Sequence, residues 1–206
     1  KRCGELLDDR EVEGLLFDYV HFYGDYGHYL NSHGWYPYEI RIVRNDPDIH
    51  SFQSAQSFRR IPGFDGVSYR KKEGTYKLKV AKVDACIFHY GWVRPPAFMQ
   101  KKKKALDTIH KGSQRVEELY KDKPESFDYG PLGRLPEFEG THPEVMKPWI
   151  EKFDWEEGLN YGKSLPTNRG LFKHERLKYK FITFLEQQVF HKKEFFGYSN
   201  WKLLKR

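Results

Sequence analysis

Residues whose side chains could bind a metal ion or a phosphate group follow one another at the end of an apolar run. The run Val83–Phe88 predicts a buried strand, and His89-Tyr90-Gly91-Trp92 and then Arg94, beside two prolines, come directly after it. Sites in open α/β sheets lie at the carboxyl ends of strands. His89 could bind a metal ion as a neutral imidazole, and Arg94 could bind phosphate in a bidentate manner. The alternatives are a hydrogen-bonded core histidine and a surface ion-pair partner.

Two acidic residues are candidates for the proton acceptor of such a site. Apolar and polar residues alternate over residues 37–44, which predicts a half-buried strand with Glu39 and Arg41 on one face. Asp18 lies near the end of a second predicted strand, over residues 12–22, whose apolar character suits the centre of a sheet. For each carboxylate the alternative is an ordinary ion pair.

Aromatic residues make up 17% of the chain, so many rings must be buried or offered to a ligand. Four of them lie near predicted strand ends, namely Trp35, Tyr36, Tyr90 and Trp92. In such positions a ring can stack on the apolar face of a sugar while neighbouring polar groups bind its hydroxyls. The alternative is that these rings belong to the core.

The net charge of +7 is concentrated near the C-terminus. Residues 171–206 carry nine Lys and Arg against three acidic residues, which gives +6 and leaves +1 for the first 170 residues. This distribution favours a local contact with an acidic partner or a membrane face over a general nucleic-acid surface. Cys3 and Cys86 lack the spacing of a metal site, which favours reduced thiols in a cytoplasmic protein.

The elements that must position these residues have an α/β pattern. Strands are predicted near residues 12–22, 37–44, 67–80 and 83–91, and helices near residues 97–111 and 171–191. The third strand is predicted to end a hairpin over residues 66–80 that turns at residues 72–74. Residues 49–60 are ambiguous, since Ser51 or Ser54 could cap a short helix. We expect a mixed sheet with flanking helices, in which residues 83–91 are covered on both faces.

Both predicted helices have an apolar side that we expect to pack on the sheet. In the first helix this side consists of Phe98, Ala105, Leu106 and Ile109, and Lys101–Lys104 would face the solvent. In the second helix it consists of Leu177, Phe181, Phe184, Leu185 and Val189. Residues 121–170 predict an irregular but ordered segment with short helical patches, because a disordered linker would not carry so many aromatic residues.

Several segments, in order along the chain, resemble the C-terminal part of bacterial glycosyltransferases of family 2, which have the GT-A fold. These segments are His33–Arg41, Ile49–Ser51, Ala55–Arg59, His89–Pro96 and Phe138–Pro143. The resemblance implies transfer of a sugar from a nucleotide sugar to a carbohydrate or lipid-linked acceptor. The resemblance does not extend to the N-terminal half of the family, which contains the entry strand and the Asp-x-Asp motif of the nucleotide site. The resemblance therefore implies the acceptor-side half of a GT-A-like domain, inactive without the nucleotide-binding half.

The resemblance and the residue chemistry together suggest substrate-binding roles for Trp35, Tyr36, Arg41, Gln56, Arg59, Tyr90, Trp92 and Arg94. They imply a divalent cation, Mg or Mn, in the full-length enzyme, with His89 near it and no metal on this chain alone. The base of the family usually precedes the short helix that ends in Arg59, where this chain has Gln53 and Ser54. Neither can act as a carboxylate, so Glu39 or Asp18 takes this role, or the base lies elsewhere.

We expect residues 1–112 to form the acceptor-side α/β part and residues 113–206 an aromatic-rich extension with an amphipathic helix. The first residues predict the end of a helix, so the chain is expected to be a fragment. Phe195–Arg206 could place an otherwise cytoplasmic protein on an anionic membrane. The other function classes that remain are a non-catalytic carbohydrate-binding module and, less favoured by the charge distribution, a nucleic-acid-binding protein.

Overall fold

The computed structural model describes residues 2–53, 57–67, 70–166, 169–190 and 199–205, and these form an α/β protein. The strands of its seven-stranded sheet are β1 (Gly14–Tyr23), β2 (Tyr29–Leu30), β3 (Tyr38–Val43), β4 (Ile49–Phe52), β5 (Ser57–Arg60), β6 (Tyr76–Trp92) and β7 (Trp201–Leu203). Their order is β2-β1-β6-β5-β4, with β3 also on β1 and β7 on β6. The β6–β7 pair is parallel and the β1–β3 and β4–β5 pairs are antiparallel. The predicted mixed sheet is confirmed.

The helices are α1 (Arg2–Asp8), α2 (Pro96–Lys111), α3 (Ser113–Tyr120), α4 (Lys147–Ile150) and α5 (Leu177–Phe184). A π-helical turn, Leu185–Val189, follows α5, and short 3-10 turns are scattered over residues 132–175. α2 begins with Pro96 in the first turn, where a missing N–H does no harm, and is followed by Gly112 at φ 83°. The predicted helix near residues 97–111 is confirmed, while α3 was not predicted.

The chain forms two compact units, and neither is continuous in sequence. Unit 1 consists of Lys1–Val20, Ser32–Ile87 and Lys180–Arg206, and unit 2 consists of His21–Asn31 and Phe88–Tyr179. β1 and β6 each run from unit 1 into unit 2. The predicted division after residue 112 does not coincide with these transitions and stays a prediction.

The core of unit 1 lies on both faces of its sheet. One face is covered by Leu15, Phe17, Ala81 and Val83, together with Leu6 and Val12. The other face is covered by Leu16, Ile40, Leu78 and Val80. Neighbouring side chains of a strand point to opposite faces, so β1 and β6 serve both layers.

The core of unit 2 is built largely from aromatic rings. Phe22 is fully buried and stacks on Tyr90, with ring centroids 4.8 Å apart and an interplanar angle of 10°. Tyr23 meets Tyr129 edge to face at 5.1 Å. Edge-to-face and offset-stacked pairs are the arrangements that the ring quadrupole favours. In unit 2 these aromatic residues therefore pack against one another in the core.

The predicted hairpin over residues 66–80 is wrong. A turn is present at Lys72–Thr75, with Gly74 at φ 70°, but among the described residues 61–67 and 70–75 there is no strand before it. The strands predicted separately near 67–80 and 83–91 are one strand, β6, of 17 residues. No Gly or Pro interrupts Val80-Ala81-Lys82-Val83, so the extended backbone continues through them.

Residues 49–60 form two paired strands instead of a short helix where they are described. Ile49 faces Arg60 and Phe52 faces Ser57 across the β4–β5 pair. Part of the predicted helix, including Ser54 and Ala55, lies outside the described residues.

The prediction that residues 83–91 are covered on both faces is wrong for part of that segment. β6 lies between β1 and β5 in the sheet order, and Val83 is buried. Asp84, Ala85 and Cys86 are nonetheless exposed, and the strand becomes half-buried from Ile87 onward. Within the described residues, β5 pairs with Tyr76 and Lys77 at the start of β6 and does not extend alongside Asp84–Cys86.

The apolar side predicted for α2 is not the side that the structure buries. Phe98 is 61% exposed and Ile109 is 77% exposed, whereas Met99 is buried. Lys102 and Lys103 are half-buried on the side of Met99, so the prediction that the whole lysine run faces the solvent is wrong. Lysine can do this because its aliphatic stem packs on apolar surface while the ammonium finds a polar partner.

The predicted packing of the last helix on the sheet is also wrong. Leu177, Phe181 and Phe184 are 84%, 64% and 56% exposed, and the regular helix is shorter than predicted. In the predicted tail Phe195–Arg206, residues 195–198 and residue 206 lie outside the described residues. Among the described residues, no helix is both long enough and apolar enough to cross a bilayer.

Candidate functional site

Glu39 is a buried carboxyl group at the centre of a polar cluster in unit 1. It lies on β3 opposite Phe17 of β1, and its residue is 2% exposed. Its neighbour Ile40 fills the core on the other side of the strand. The antiparallel pairing of β3 with β1 therefore holds this ionisable group away from solvent.

Three side chains surround this carboxyl group: Arg41, Tyr19 and Tyr36. Arg41 Nη2 makes an ion pair with Glu39 Oε2, although neither carboxylate oxygen has an aligned hydrogen-bond donor among the described residues. Arg41 Nη2 also donates a hydrogen bond to the Tyr19 hydroxyl at 2.9 Å, and the rings of Tyr19 and Tyr36 lie 5.6 Å apart. Arg41 is 36% exposed, so it connects the cluster with solvent.

Burial raises the pKa of Glu39 from 4.5 to about 7, and the positive charge of Arg41 offsets this only in part. Burial and the nearby charge of Glu39 likewise raise the pKa of Tyr36. A carboxyl group with a pKa near neutrality is present in both protonation states at physiological pH, which is the condition for efficient general acid–base catalysis. Glu39 therefore meets the pKa condition for the predicted proton acceptor.

Asp18 has a different environment. Its carboxylate forms an ion pair with Lys82 at 3.0 Å, and the two side chains are 38% and 42% exposed. The Lys82 ammonium also lies 4.9 Å from the centre of the Tyr38 ring. This is the ordinary ion pair that the sequence left open as the alternative for Asp18.

Two other predicted site residues of unit 1, Arg59 and Trp35, have contacts outside the Glu39 carboxyl group. Arg59 is buried at 8% exposure over the ring of Phe52, and burial lowers its pKa. Trp35 lies in a turn where its backbone N–H donates to the Ser32 carbonyl. Gln56 lies outside the described residues.

In unit 2, His89 meets a second histidine that the sequence analysis did not single out. The Nδ1 atoms of His21 and His89 are 3.3 Å apart, so one ring donates and the other accepts. His21 is buried at 2% exposure. This contact is the hydrogen-bonded arrangement left open as the alternative for His89.

The aromatic residues that follow His89 are half-buried. Tyr90 shares a hydrogen bond with Nδ1 of His142 at 2.7 Å, besides its stacking on Phe22. The Trp92 ring contacts the Phe127 ring. The Lys102 ammonium donates a hydrogen bond to the backbone carbonyl of Gly91. Burial and then the positive charge of Arg94 lower the pKa of Lys102, so Arg94 and Lys102 lie near each other. Arg94 is exposed and could reach an anionic ligand.

The described residues do not on their own fit a divalent cation. They contain no group of three or more His, Cys, Asp or Glu side chains arranged to hold a metal ion. His89 and His21 offer two imidazoles whose Nδ1 atoms are engaged with each other. The role of His89 at a metal in a larger enzyme stays a prediction, and we assign no reaction step to a metal on this chain.

Sequence reasoning missed four residues that contact predicted site residues or their backbone: Tyr19, His21, His142 and Lys102. Tyr19 follows Asp18, and alternation along the strand would have placed it on the opposite face from that residue. His21 and His142 make their contacts across 68 and 52 residues, to His89 and Tyr90, and Lys102 contacts Gly91 of the preceding strand, 11 residues away. No local pattern signals contacts of this kind.

We compared the chain with models of known protein families, with curated proteins and with solved structures, and none of the three comparisons finds a match.

Proposed function

We propose that this chain is the acceptor-side part of a glycosyltransferase that transfers a sugar from a nucleotide sugar to a carbohydrate or lipid-linked acceptor. The resemblance to bacterial family 2 enzymes supplies the reaction class. The observation that carries the proposal is the Glu39 carboxyl group, 2% exposed and with its pKa raised to about 7 beside Arg41. In this proposal Glu39 is the general base, whereas Asp18, ion-paired with Lys82 at 3.0 Å, has a structural role.

The proposed step balances as follows. A hydroxyl group of the acceptor gives its proton to a carboxylate oxygen of Glu39. Its oxygen forms a bond to the anomeric carbon of the donor, and the bond from that carbon to the diphosphate oxygen breaks. Arg41, half-exposed and fixed by the Tyr19 hydroxyl, positions the carboxylate and offers positive charge to the departing phosphate or to an acceptor group.

Transfer by the full-length protein tests this assignment. Glu39→Gln should lower kcat by about 100-fold or more and remove the fall in rate as the pH drops below about 7, since the base can no longer be protonated. Asp18→Asn is the matched control and should retain activity. Equal losses in the two variants, or activity of Glu39→Gln with an unchanged pH profile, would exclude Glu39 as the base.

A non-catalytic carbohydrate-binding module is the second candidate. Accessible aromatic side chains favour this candidate, and Trp149, at 63% exposure, is an example. The hydroxyl group of Tyr26 donates a hydrogen bond to the backbone carbonyl of Trp149. Titration of this chain with oligosaccharides, followed by tryptophan fluorescence, separates the two. Binding that is indifferent to Glu39→Gln, together with no transfer by the full-length protein, would favour the module.

We further propose that the C-terminal part contacts an anionic membrane in a cytoplasmic protein. Phe181 and Phe184 are exposed in a segment of net charge +6, and apolar burial and positive charge add in peripheral attachment. Phe181→Ser/Phe184→Ser should reduce co-sedimentation with phosphatidylserine vesicles by about tenfold or more. Ile109→Ser, which removes an equally exposed apolar side chain from α2, is the control. Equal sedimentation of all three forms would contradict membrane contact by α5.

A further inference from the structure

Unit 2 contains a cavity of about 230 Å³ that no proposed role uses. It is bounded by α2, the end of α3, residues 123–128 and residues 169–172. Apolar cavities of about 150 Å³ can bind a benzene ring, and pockets for drug-sized ligands begin near 300 Å³. The volume thus suits a ligand with a single ring and one small substituent.

Rings make up much of the wall. Phe127, 6% exposed, stacks on Phe172 with centroids 5.7 Å apart and an angle of 10° between the rings. The Tyr120 ring is held in place because its hydroxyl donates to Asp107 at 2.6 Å. A flat apolar ligand would therefore meet side chains that already have fixed orientations.

On one side of the cavity, Arg169 is bonded to two carboxylates. Arg169 lies 3.9 Å over the Phe172 ring, donates to Asp128 at 2.8 Å, and makes two bonds of 2.7 and 2.8 Å to the buried Glu175. Two carboxylates already neutralise this guanidinium, so Arg169 holds the wall together and has little charge left to attract an anion.

The other side has an excess of positive charge. The Lys123 ammonium lies 4.0 Å from the centre of the Tyr120 ring and has no carboxylate partner among the described residues. Lys103 and Lys111 share a single carboxylate, Asp107. Burial and then the charge of Lys103 lower the pKa of Lys123, and the nearby carboxylate of Asp107 offsets this only in part.

We propose that this cavity binds a small monoanionic carboxylate with one apolar ring. The ring lies against Phe127, Tyr120 and Phe172, and the carboxylate forms an ion pair with Lys123. Among the residues that line the cavity, Lys103 is already paired with Asp107, so Lys123 is the cation that a ligand carboxylate would meet. This site does not depend on the proposed transferase activity.

Benzoate is the probe, and binding to this chain is followed by NMR chemical shifts of the ring protons of Phe127 and Phe172. Benzoate should bind in the millimolar range, whereas acetate, which lacks the ring, and benzyl alcohol, which lacks the charge, should each bind at least about tenfold more weakly.

Lys123→Gln should weaken benzoate binding by about tenfold, and it should abolish the preference over benzyl alcohol. Lys121→Gln, which changes a neighbouring exposed lysine that does not line the cavity, is the matched control and should bind as the wild type does. The proposal is overturned by absence of binding, by shifts confined to other residues, or by equal affinities of benzoate for the Lys123→Gln variant and the wild type.

Discussion

Replacing Glu39 with glutamine preserves the shape of the side chain but removes its ability to ionise. The fold holds this group at 2% exposure, where the charged form is disfavoured, so the pKa is raised from 4.5 to about 7. A raised pKa means that the folded state holds the proton more tightly than the unfolded state. The stability from this proton is fully present below pH 4.5, and it is lost as the pH rises to about 7.

The size of the effect follows from the shift. One pKa unit corresponds to about 1.4 kcal/mol, so ionisation of Glu39 lowers the free energy of unfolding by about 3 kcal/mol above pH 7. Glutamine does not ionise, so the free energy of unfolding of the variant does not fall in this way. Arg41 loses its ion-pair partner in the variant but remains 36% exposed and bonded to Tyr19, so its charge stays solvated.

Thermal unfolding at a series of pH values measures this difference. We expect Glu39→Gln and the wild type to have similar stability near pH 4, and the variant to be more stable by about 3 kcal/mol at pH 8. For a chain of this size that is a rise in Tm on the order of 6–12 °C. Glu117→Gln, at an exposed position on α3, measures the effect of the same substitution without burial. NMR titration of the Glu39 side-chain carboxyl carbon locates the midpoint directly.

Two results would refute this reasoning. One is a difference in stability between Glu39→Gln and the wild type that is the same at pH 4 and pH 8. The other is a carboxyl carbon midpoint near the ordinary value of 4.5, which would show that Arg41 fully compensates for burial.

Two further substitutions test the packing. Met99→Ala should cost about 2–5 kcal/mol of stability because Met99 is buried, whereas Ile109→Ala on the same helix should change it by less than about 0.5 kcal/mol; the reverse order in urea unfolding would show that α2 is wrongly oriented. Arg169→Ala should cost about 3–5 kcal/mol because it leaves Glu175 buried without its cation, and a loss below about 1 kcal/mol in the same assay would contradict that pairing.

The sequence alone determined the elements whose signals are local. Alternation of apolar and polar residues over residues 37–44 predicts β3, and it correctly places Glu39 and Arg41 on one face. Pro96 and Gly112 mark the limits of α2 within a residue or two. These signals are reliable because backbone sterics and strand or helix periodicity act over a few neighbouring residues.

The sequence could not decide which side of α2 is buried. Phe98 and Ile109 are the more apolar choice, yet the structure buries Met99 and half-buries Lys102. The reason is that Lys102 finds the Gly91 carbonyl and lies near the Trp92 ring, and these partners come from β6. Periodicity reports that a helix has two sides, but the elements it meets select between them.

The candidate site shows the same division. The sequence left Glu39 and Asp18 as alternative bases, since each is a carboxylate on a predicted strand. Only the tertiary structure separates them, because β1 and the neighbouring rings exclude water from Glu39, whereas Asp18 lies at the surface with Lys82. The pKa of a carboxyl group depends on its desolvation and on charges within a few ångströms, and both are set by residues distant in sequence.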